Sequence, residues 1–388
     1  MSALTSACGT SPLSPSPWVG LRNPLLHANA AHLACLITNR QQILKLLPAA
    51  VDLLERDCQA ALVAFNRVLP PGKKFALTPD KAVTQSSLSE LIDNAVLSEL
   101  LTIPDERFHA LLVQLQSREA NAWKRALPNA RKRLHLLPPL FQIAMKRNLG
   151  AALFHFDEHD DPPNCPLCLE RSPPKYTPLD PYGDHICSCK KGGGIVQIHN
   201  DVRDLTSAAL HKAHIPFAKE SPVPMAESYG NPTWRADVSL PNGIPSHPAK
   251  ELHLDFTITN PFVKTQLSKA GKASDSATLH GEQHKNNAIG KHLPPTSHLL
   301  PVSLSVLGAV GEASRPLYNF VLTQLAYQTN APFAEVATTF WITQSVLIQR
   351  LKALTIFKVL LTLERTRTPK PSDIHSGQSY IDLTAAFS

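Results

Sequence analysis

Thr233-Trp-Arg-Ala-Asp237-Val-Ser-Leu240 and Glu251-Leu-His-Leu-Asp255-Phe-Thr-Ile-Thr259 decide how this chain is read. In the first stretch Trp234, Ala236, Val238 and Leu240 alternate with Arg235, Asp237 and Ser239. In the second, Leu252, Leu254, Phe256 and Ile258 alternate with His253, Asp255 and Thr257. Successive side chains of a strand point to opposite faces, so this period-two pattern predicts two amphipathic strands. Pro241-Asn242-Gly243 between them is a turn signal, and the pair is expected to form an antiparallel hairpin. Residues 301–306 alternate again, with Val302, Leu304 and Val306 on one side.

The surroundings read as helical. Residues 25–115 show three- and four-residue spacing, clearest at Val51, Leu54, Cys58, Ala61, Leu62 and Phe65. Pro70-Pro71-Gly72 breaks that run, and residues 87–101 predict a second helix capped by Ser87 with Glu90 three positions on. Two short helices are expected in 116–150, interrupted by Pro128 and Pro138-Pro139. Further helices are expected over 195–211, 281–291, 312–328 and 333–363. The chain thus predicts a mixed α+β or α/β architecture with a mostly helical N-terminal half. Its expected organisation is a Ser/Pro-rich disordered tail (1–24), a helical region (25–160), a small cysteine-rich module (161–192), a sheet domain flanked by helices (193–330), C-terminal helices (331–365) and a disordered tail (366–388).

The length of 388 residues allows two or three domains, and 43% hydrophobic residues supply sizeable cores. The net charge is +7. Residues 116–150 hold Arg118, Lys124, Arg125, Arg131, Lys132, Arg133, Lys146 and Arg147 against Glu119 alone, so this one segment equals the whole surplus. Such concentration points to a polyanionic partner, DNA or RNA, with a solvated helix face as the plainer alternative. Asn129-Ala-Arg-Lys-Arg133 fits a nuclear import patch, so a nuclear location is expected if the source is eukaryotic. The start, Met1-Ser-Ala-Leu-Thr-Ser6, lacks the basic and apolar regions of a signal peptide. No apolar run approaches the ~20 residues of a membrane helix, so a soluble, intracellular protein is expected.

Four of the seven cysteines crowd into Cys165-Pro-Leu-Cys168 and His185-Ile-Cys187-Ser-Cys189. This is ligand spacing for tetrahedral zinc, with Cys165, Cys168, His185 and Cys189 favoured because three intervening residues close round one ion more easily than one. Four protein ligands leave no open position, so the role is structural. An iron–sulfur cluster on the four cysteines and a set of unliganded thiols are the other readings. His155-Phe-Asp-Glu-His-Asp-Asp161 resembles a metal site, but the prolines after it favour a solvated acidic linker. Gly192-Gly-Gly194 reads as a hinge.

Asp237 and Asp255 form the second constellation. If their strands pair, the two carboxylates can converge on one hard divalent cation, magnesium or manganese, and such an ion activates water for attack on phosphorus. Glu220, just before the first strand, and Lys285, on the following helix, are positioned to complete the site. Acids standing alone on solvent faces of strands are otherwise ordinary.

The order of these motifs resembles the C-terminal region of reverse-transcriptase polyproteins of non-LTR retroelements. There a Cys-Cys-His-Cys zinc knuckle precedes a restriction-enzyme-like endonuclease of the PD-(D/E)xK superfamily. The matching residues are Cys165-x-x-Cys168, Gly183-Asp-His185-x-x-x-Cys189, His199-Asn200 with Arg203-Asp204, Arg235-Ala-Asp237, and Leu254-Asp255-Phe-Thr257. Glu282-x-x-Lys285, Pro301-Val302 through Leu307-Gly308, and the upstream Ala122-Trp123 and Ala126-Leu127-Pro128 also match, covering about residues 115–325. The resemblance implies a metal-dependent DNA endonuclease with Asp237 and Asp255 as metal-binding acids and His199 beside them. Ala236 stands where the family has proline, and Thr257 where it has lysine. A lysine supplied by the adjacent helix is a variation within that superfamily, which makes Lys285 the expected counterpart. No polymerase aspartate pair is present, so the chain resembles a fragment or a reused descendant of such an element. The alternative is a nucleic-acid-binding remnant without catalysis.

Overall fold

A computed structural model describes residues 24–77, 83–156, 161–169, 176–191, 194–226, 230–248 and 250–366. The expected tails, most of the acidic 155–161 stretch and Gly192-Gly193 lie wholly or largely outside these residues. The described chain is mixed α+β, with twelve helices and one four-stranded sheet. In order come α1 (Pro24–Leu46), α2 (Val51–Arg67), α3 (Gln85–Leu100), α4 (Glu106–Gln114), α5 (Pro138–Asn148), α6 (Pro166–Leu169), α7 (Asp184–Ser188) and α8 (Gly194–Lys212). The sheet strands β1 (Ala218–Pro224), β2 (Thr233–Leu240) and β3 (Glu251–Thr259) follow, then α9 (Leu267–Ala270), α10 (Ser276–Ala288), β4 (Ser297–Ser305), α11 (Arg315–Thr329) and α12 (Phe333–Thr366).

The strands lie in the order β1-β2-β3-β4. The expected hairpin forms, but β2 and β3 pair only where Val238–Leu240 meets Leu252–Leu254, and the ladder then opens. β4 starts four residues earlier than its alternation suggests and runs parallel to β3 along the whole length of both. A parallel neighbour needs a crossover, which α9 and α10 supply. β1 carries no strand signal, because Pro222 and Pro224 read as loop. They are tolerated because β1 is an edge strand, paired on one side only.

Both faces of the sheet are covered. Val238, Leu240, Leu252, Leu254, Phe256, Val302 and Leu304 pack against Ile198, Val202 and Leu210 of α8, Leu317, Tyr318 and Val321 of α11, and Phe340 and Ile348 of α12. Burying each of these side chains contributes about 1.5–3 kcal/mol. The opposite face, polar in sequence, lies under α10 rather than solvent. His253, Asp255 and Ser303 are therefore buried. The approach requires Gly281: a Cβ there would lie 2.6 Å from the Ser303 hydroxyl and 2.7 Å from Thr259 Cγ2.

The N-terminal helices α1–α3 close a separate core around Ala30, Leu33, Phe65, Leu88 and Ile92. The start of α3 corrects the sequence expectation. Thr84, not Ser87, is the N-cap: its Oγ1 accepts from the Ser87 amide at 3.1 Å, and Ser87 Oγ accepts from the Thr84 amide at 3.1 Å. Pro138-Pro139 likewise begin α5 instead of interrupting a helix, since proline at the first helical position gives up an amide that has no partner there anyway. The cysteine-rich module shares one core with α5 and α12, and α12 also walls the sheet, so the expected segments 161–192 and 331–365 have no cores of their own.

A buried ionic knot joins these parts. Asp184 of α7 accepts from Arg107 Nε of α4 at 2.5 Å and from Arg147 Nη2 of α5 at 3.0 Å. Arg147, 1% exposed, also donates to the Tyr182 carbonyl at 2.5 Å. Asn260, just past β3, donates to the Asp184 carbonyl at 2.8 Å. Arg107 stacks 3.6 Å from the Tyr182 ring centroid. Removing one member of such a group strands the others as unpaired buried charges, a loss on the order of 3–5 kcal/mol. Asp184→Asn is therefore expected to lower stability by about that amount in denaturant unfolding. A change below about 1 kcal/mol would mean that the knot is not holding these elements together.

Candidate functional site

The metal-ligating cluster is built from two tight turns. Cys165 precedes α6 and its amide donates to the Thr177 carbonyl at 2.8 Å, while the Cys168 amide donates back to the Cys165 carbonyl at 3.0 Å. This folds C-x-x-C so that both thiols face inward. His185 lies on α7, and Cys189 follows directly after it. Asp180 fixes that turn: its carboxylate accepts from the amides of Tyr182 at 3.0 Å, Asp184 at 2.8 Å and His185 at 2.7 Å. Gly183 between them has φ +71°, a left-handed conformation that glycine adopts without strain.

The ligand atoms of Cys165, Cys168, His185 and Cys189 all lie within 4.8 Å of one another. Cys168 Sγ is 3.2 Å from His185 Nε2 and 3.6 Å from Cys189 Sγ. A tetrahedron with zinc–sulfur bonds of about 2.3 Å has edges of about 3.8 Å, so the cluster is close to the size such an ion needs. Burial above all, with the neighbouring Cys189 and Cys168 thiols, pushes the Cys165 thiol up to about 12. Thiolates here at neutral pH require a cation among them. The Cys3His set can thus hold a metal such as zinc. Cys187 lies outside it, buried near Arg147 and Lys352.

The two strand acids come together where the β2–β3 ladder opens. Asp237 Oδ2 accepts from the Phe256 amide at 2.7 Å, taking the place of a strand carbonyl. The same oxygen lies 3.1 Å from His199 Nε2, brought in by α8. Asp255 Oδ2 is 2.6 Å from Lys285 Nζ of α10. The two carboxyl groups are near enough for each to affect the other's ionisation. Burial pushes Asp255 up from 3.8 to about 6, with Asp237 adding to the rise and Lys285 opposing it. Burial also pushes Asp237 upward, but His199 and the Phe256 amide outweigh it and hold the carboxyl below its ordinary value. The hydrogen bond to Asp237 in turn raises His199.

The structure therefore brings together four of the five expected site residues: His199, Asp237, Asp255 and Lys285. Glu220 is engaged elsewhere, 2.9 Å from Arg203 Nη1 and 3.4 Å from Arg235 Nη1. Thr257 packs beneath Gly281. Glu282 accepts from the Ala313 amide at 3.2 Å, a helix-start contact away from the acids. Sequence reasoning missed Asp180 and Asp184, the acids that shape the metal-ligating turn. The run Asp180-Pro-Tyr-Gly183 is a turn signal that could have pointed to the first.

The basic segment is only partly a surface. Arg147 is committed to the ionic knot, and burial lowers Lys124 to about 8. Arg118, Arg125, Arg131, Lys132, Arg133 and Lys146 are exposed. No described helix is long and apolar enough to cross a membrane. No protein-family model matches the chain, and no curated protein matches it either.

Cys189→Ser is expected to abolish stoichiometric binding of one cobalt ion, read from the thiolate-to-metal absorption bands. Cys187→Ser should leave those bands intact. Loss of the bands in both variants would refute the Cys3His ligand set.

Proposed function

We propose that this chain is a retroelement-derived, metal-dependent DNA endonuclease module that hydrolyses phosphodiester bonds. The observation that carries the reading is the convergence of Asp237, Asp255 and Lys285 from three elements distant in sequence. Asp237 and Asp255 present hard oxygen ligands of the kind magnesium or manganese takes. Such an ion, when bound, polarises a phosphoryl oxygen and makes water nucleophilic at neutral pH. Lys285 would stabilise charge developing on the phosphate or orient the attacking water. His199 holds Asp237 in place and can carry a proton beside it. The sheet and α10 bury Asp255 and partly cover Asp237, which strengthens the charge interactions among them. Zinc in the Cys3His cluster serves structure, since four protein ligands leave no position for substrate.

A second reading is supported by specific residues. Ala236 and Thr257 stand where the resembling family has proline and lysine, and six exposed cations offer a phosphate-binding surface. On that reading the chain binds nucleic acid without cleaving it, and binding is salt-dependent.

Plasmid nicking separates the two. The intact protein with magnesium or manganese should convert supercoiled plasmid to open circles, and Asp255→Ala should reduce the rate at least about 100-fold, the scale set by losing an electrostatic catalytic group. Equal rates in the two proteins would dismiss the nuclease reading. Retained, salt-sensitive binding with no metal-dependent nicking would establish the second one.

Protonation gives an independent check. Asp255 must be ionised to ligate a cation, so protons compete below about 6. Magnesium affinity should fall about tenfold per pH unit below that value and level off above it. The sign for stability is opposite. A carboxyl raised on folding favours the native state at low pH, and this contribution is lost as pH rises from 3.8 through about 6. Isothermal titration with magnesium between pH 5 and pH 8 reads the first effect, and a flat profile would exclude Asp255 as a ligand.

A further inference from the structure

Glu220 has the backbone of a residue under constraint. Its φ is +49°, in the left-handed region that side chains larger than glycine seldom occupy. Such conformations persist where surrounding contacts over-determine them, and they gather at functional positions. In the β1–β2 register Lys219 pairs with Val238 and Ser221 with Ala236, which sets Glu220 directly across from Asp237. The in-out alternation of β1 breaks at this point, and the Ser221 hydroxyl meets Ser239 at 2.5 Å.

The carboxylate of Glu220 gathers two guanidinium groups from different elements. Arg203 lies on α8 one turn after His199, so both project from the same helix face toward the β1–β2 edge. Arg235 lies on β2 two residues before Asp237, and alternate residues of a strand share a face. Arg203 also contacts Asp204 at 3.1 Å, and Lys219 contacts the same carboxylate at 2.7 Å. The patch therefore carries three cations against two acids, leaving one positive charge in excess beside Asp237. The Arg235 side chain is 73% exposed, and a guanidinium offers five N–H donors, far more than its contact with Glu220 uses.

We propose that Arg203 and Arg235, held in place by Glu220, form a seat for a backbone phosphate of the bound DNA strand, next to the phosphodiester that faces Asp237 and Asp255. This rests on the endonuclease reading of the same site and assigns it a means of placing its substrate. Arg235 and Arg203 are positioning residues in this scheme. Glu220 acts through them, pre-orienting two forks that otherwise lose side-chain freedom on binding. The forked, planar geometry of a guanidinium suits a phosphate's oxygens, where lysine offers only a point charge.

The test uses the full chain and a short DNA duplex. Arg235→Gln alters an exposed side chain and should leave folding intact. Binding measured without added magnesium or manganese across a salt series should weaken about tenfold, the scale of one lost charge-assisted contact. The slope of log affinity against log salt should fall by about 0.9, one phosphate contact. In nicking with magnesium, KM should rise by a similar factor while kcat changes much less. Arg235→Lys should restore the slope but only part of the affinity, a split that a merely structural role would not produce. An unchanged slope and unchanged KM would overturn the seat even if nicking persists. Absence of nicking together with the reduced slope would keep the seat and remove the nuclease reading, so the two failures are distinguishable.

Discussion

The architecture depends on Asp184. A carboxylate this buried is tolerated only because two arginines take up its lone pairs. Those partners come from α4 and α5, and Asn260 binds the Asp184 carbonyl from the end of β3. One turn of helix thus ties the metal-ligating module to the helical region before it and to the sheet after it. The same turn presents His185 and Cys189. Its position is set from outside by the ionic knot and from inside by the three amides that Asp180 accepts, so the ligands are arranged by protein contacts as well as by any ion they hold.

The strand acids obey a different physics. Two carboxylates set close together in a covered site cannot both ionise without compensating charge. Here His199 stands against one and Lys285 against the other, and the result is asymmetric: Asp237 is held low and Asp255 is raised to about 6. The asymmetry follows from the open ladder. Asp237 gains a strand amide that β2 no longer satisfies with its own backbone, whereas Asp255 is covered by α10 and has Lys285 as its opposing charge.

Much of this was legible in the sequence. The alternation at 233–240 and 251–259 located β2 and β3 because amphipathic strands leave a period-two trace, and C-x-x-C with His185 and Cys189 located the metal-ligating set because ligand spacing is local. Lys285 was legible from its place on the helix after the paired strands and from the order of motifs. What the sequence hid was long-range. β1 was invisible because edge strands tolerate the prolines that erase a strand signal. The burial of the polar sheet face was invisible because it comes from a crossover helix made flush by a glycine. Arg147 looked like part of a basic surface, since nothing local reveals that its partner lies 37 residues away. Thr84 displaced Ser87 as the cap because both can play either part of that exchange, and only the helix start decides between them.

α12 has a consequence of its own. At 34 residues it extends about 50 Å, longer than the sheet it covers. One stretch of it walls the sheet core through Phe340 and Ile348, and the next lines the metal-ligating module through Ile356 and Phe357. Lys352, midway between, donates to the Val306 carbonyl at 3.0 Å, and Gln349 donates to that of Leu307 at 3.1 Å. The two halves of the molecule therefore share a single rigid beam rather than a hinge. Removing either half would leave an apolar stretch of this helix without its cover, so the module and the sheet depend on each other for burial.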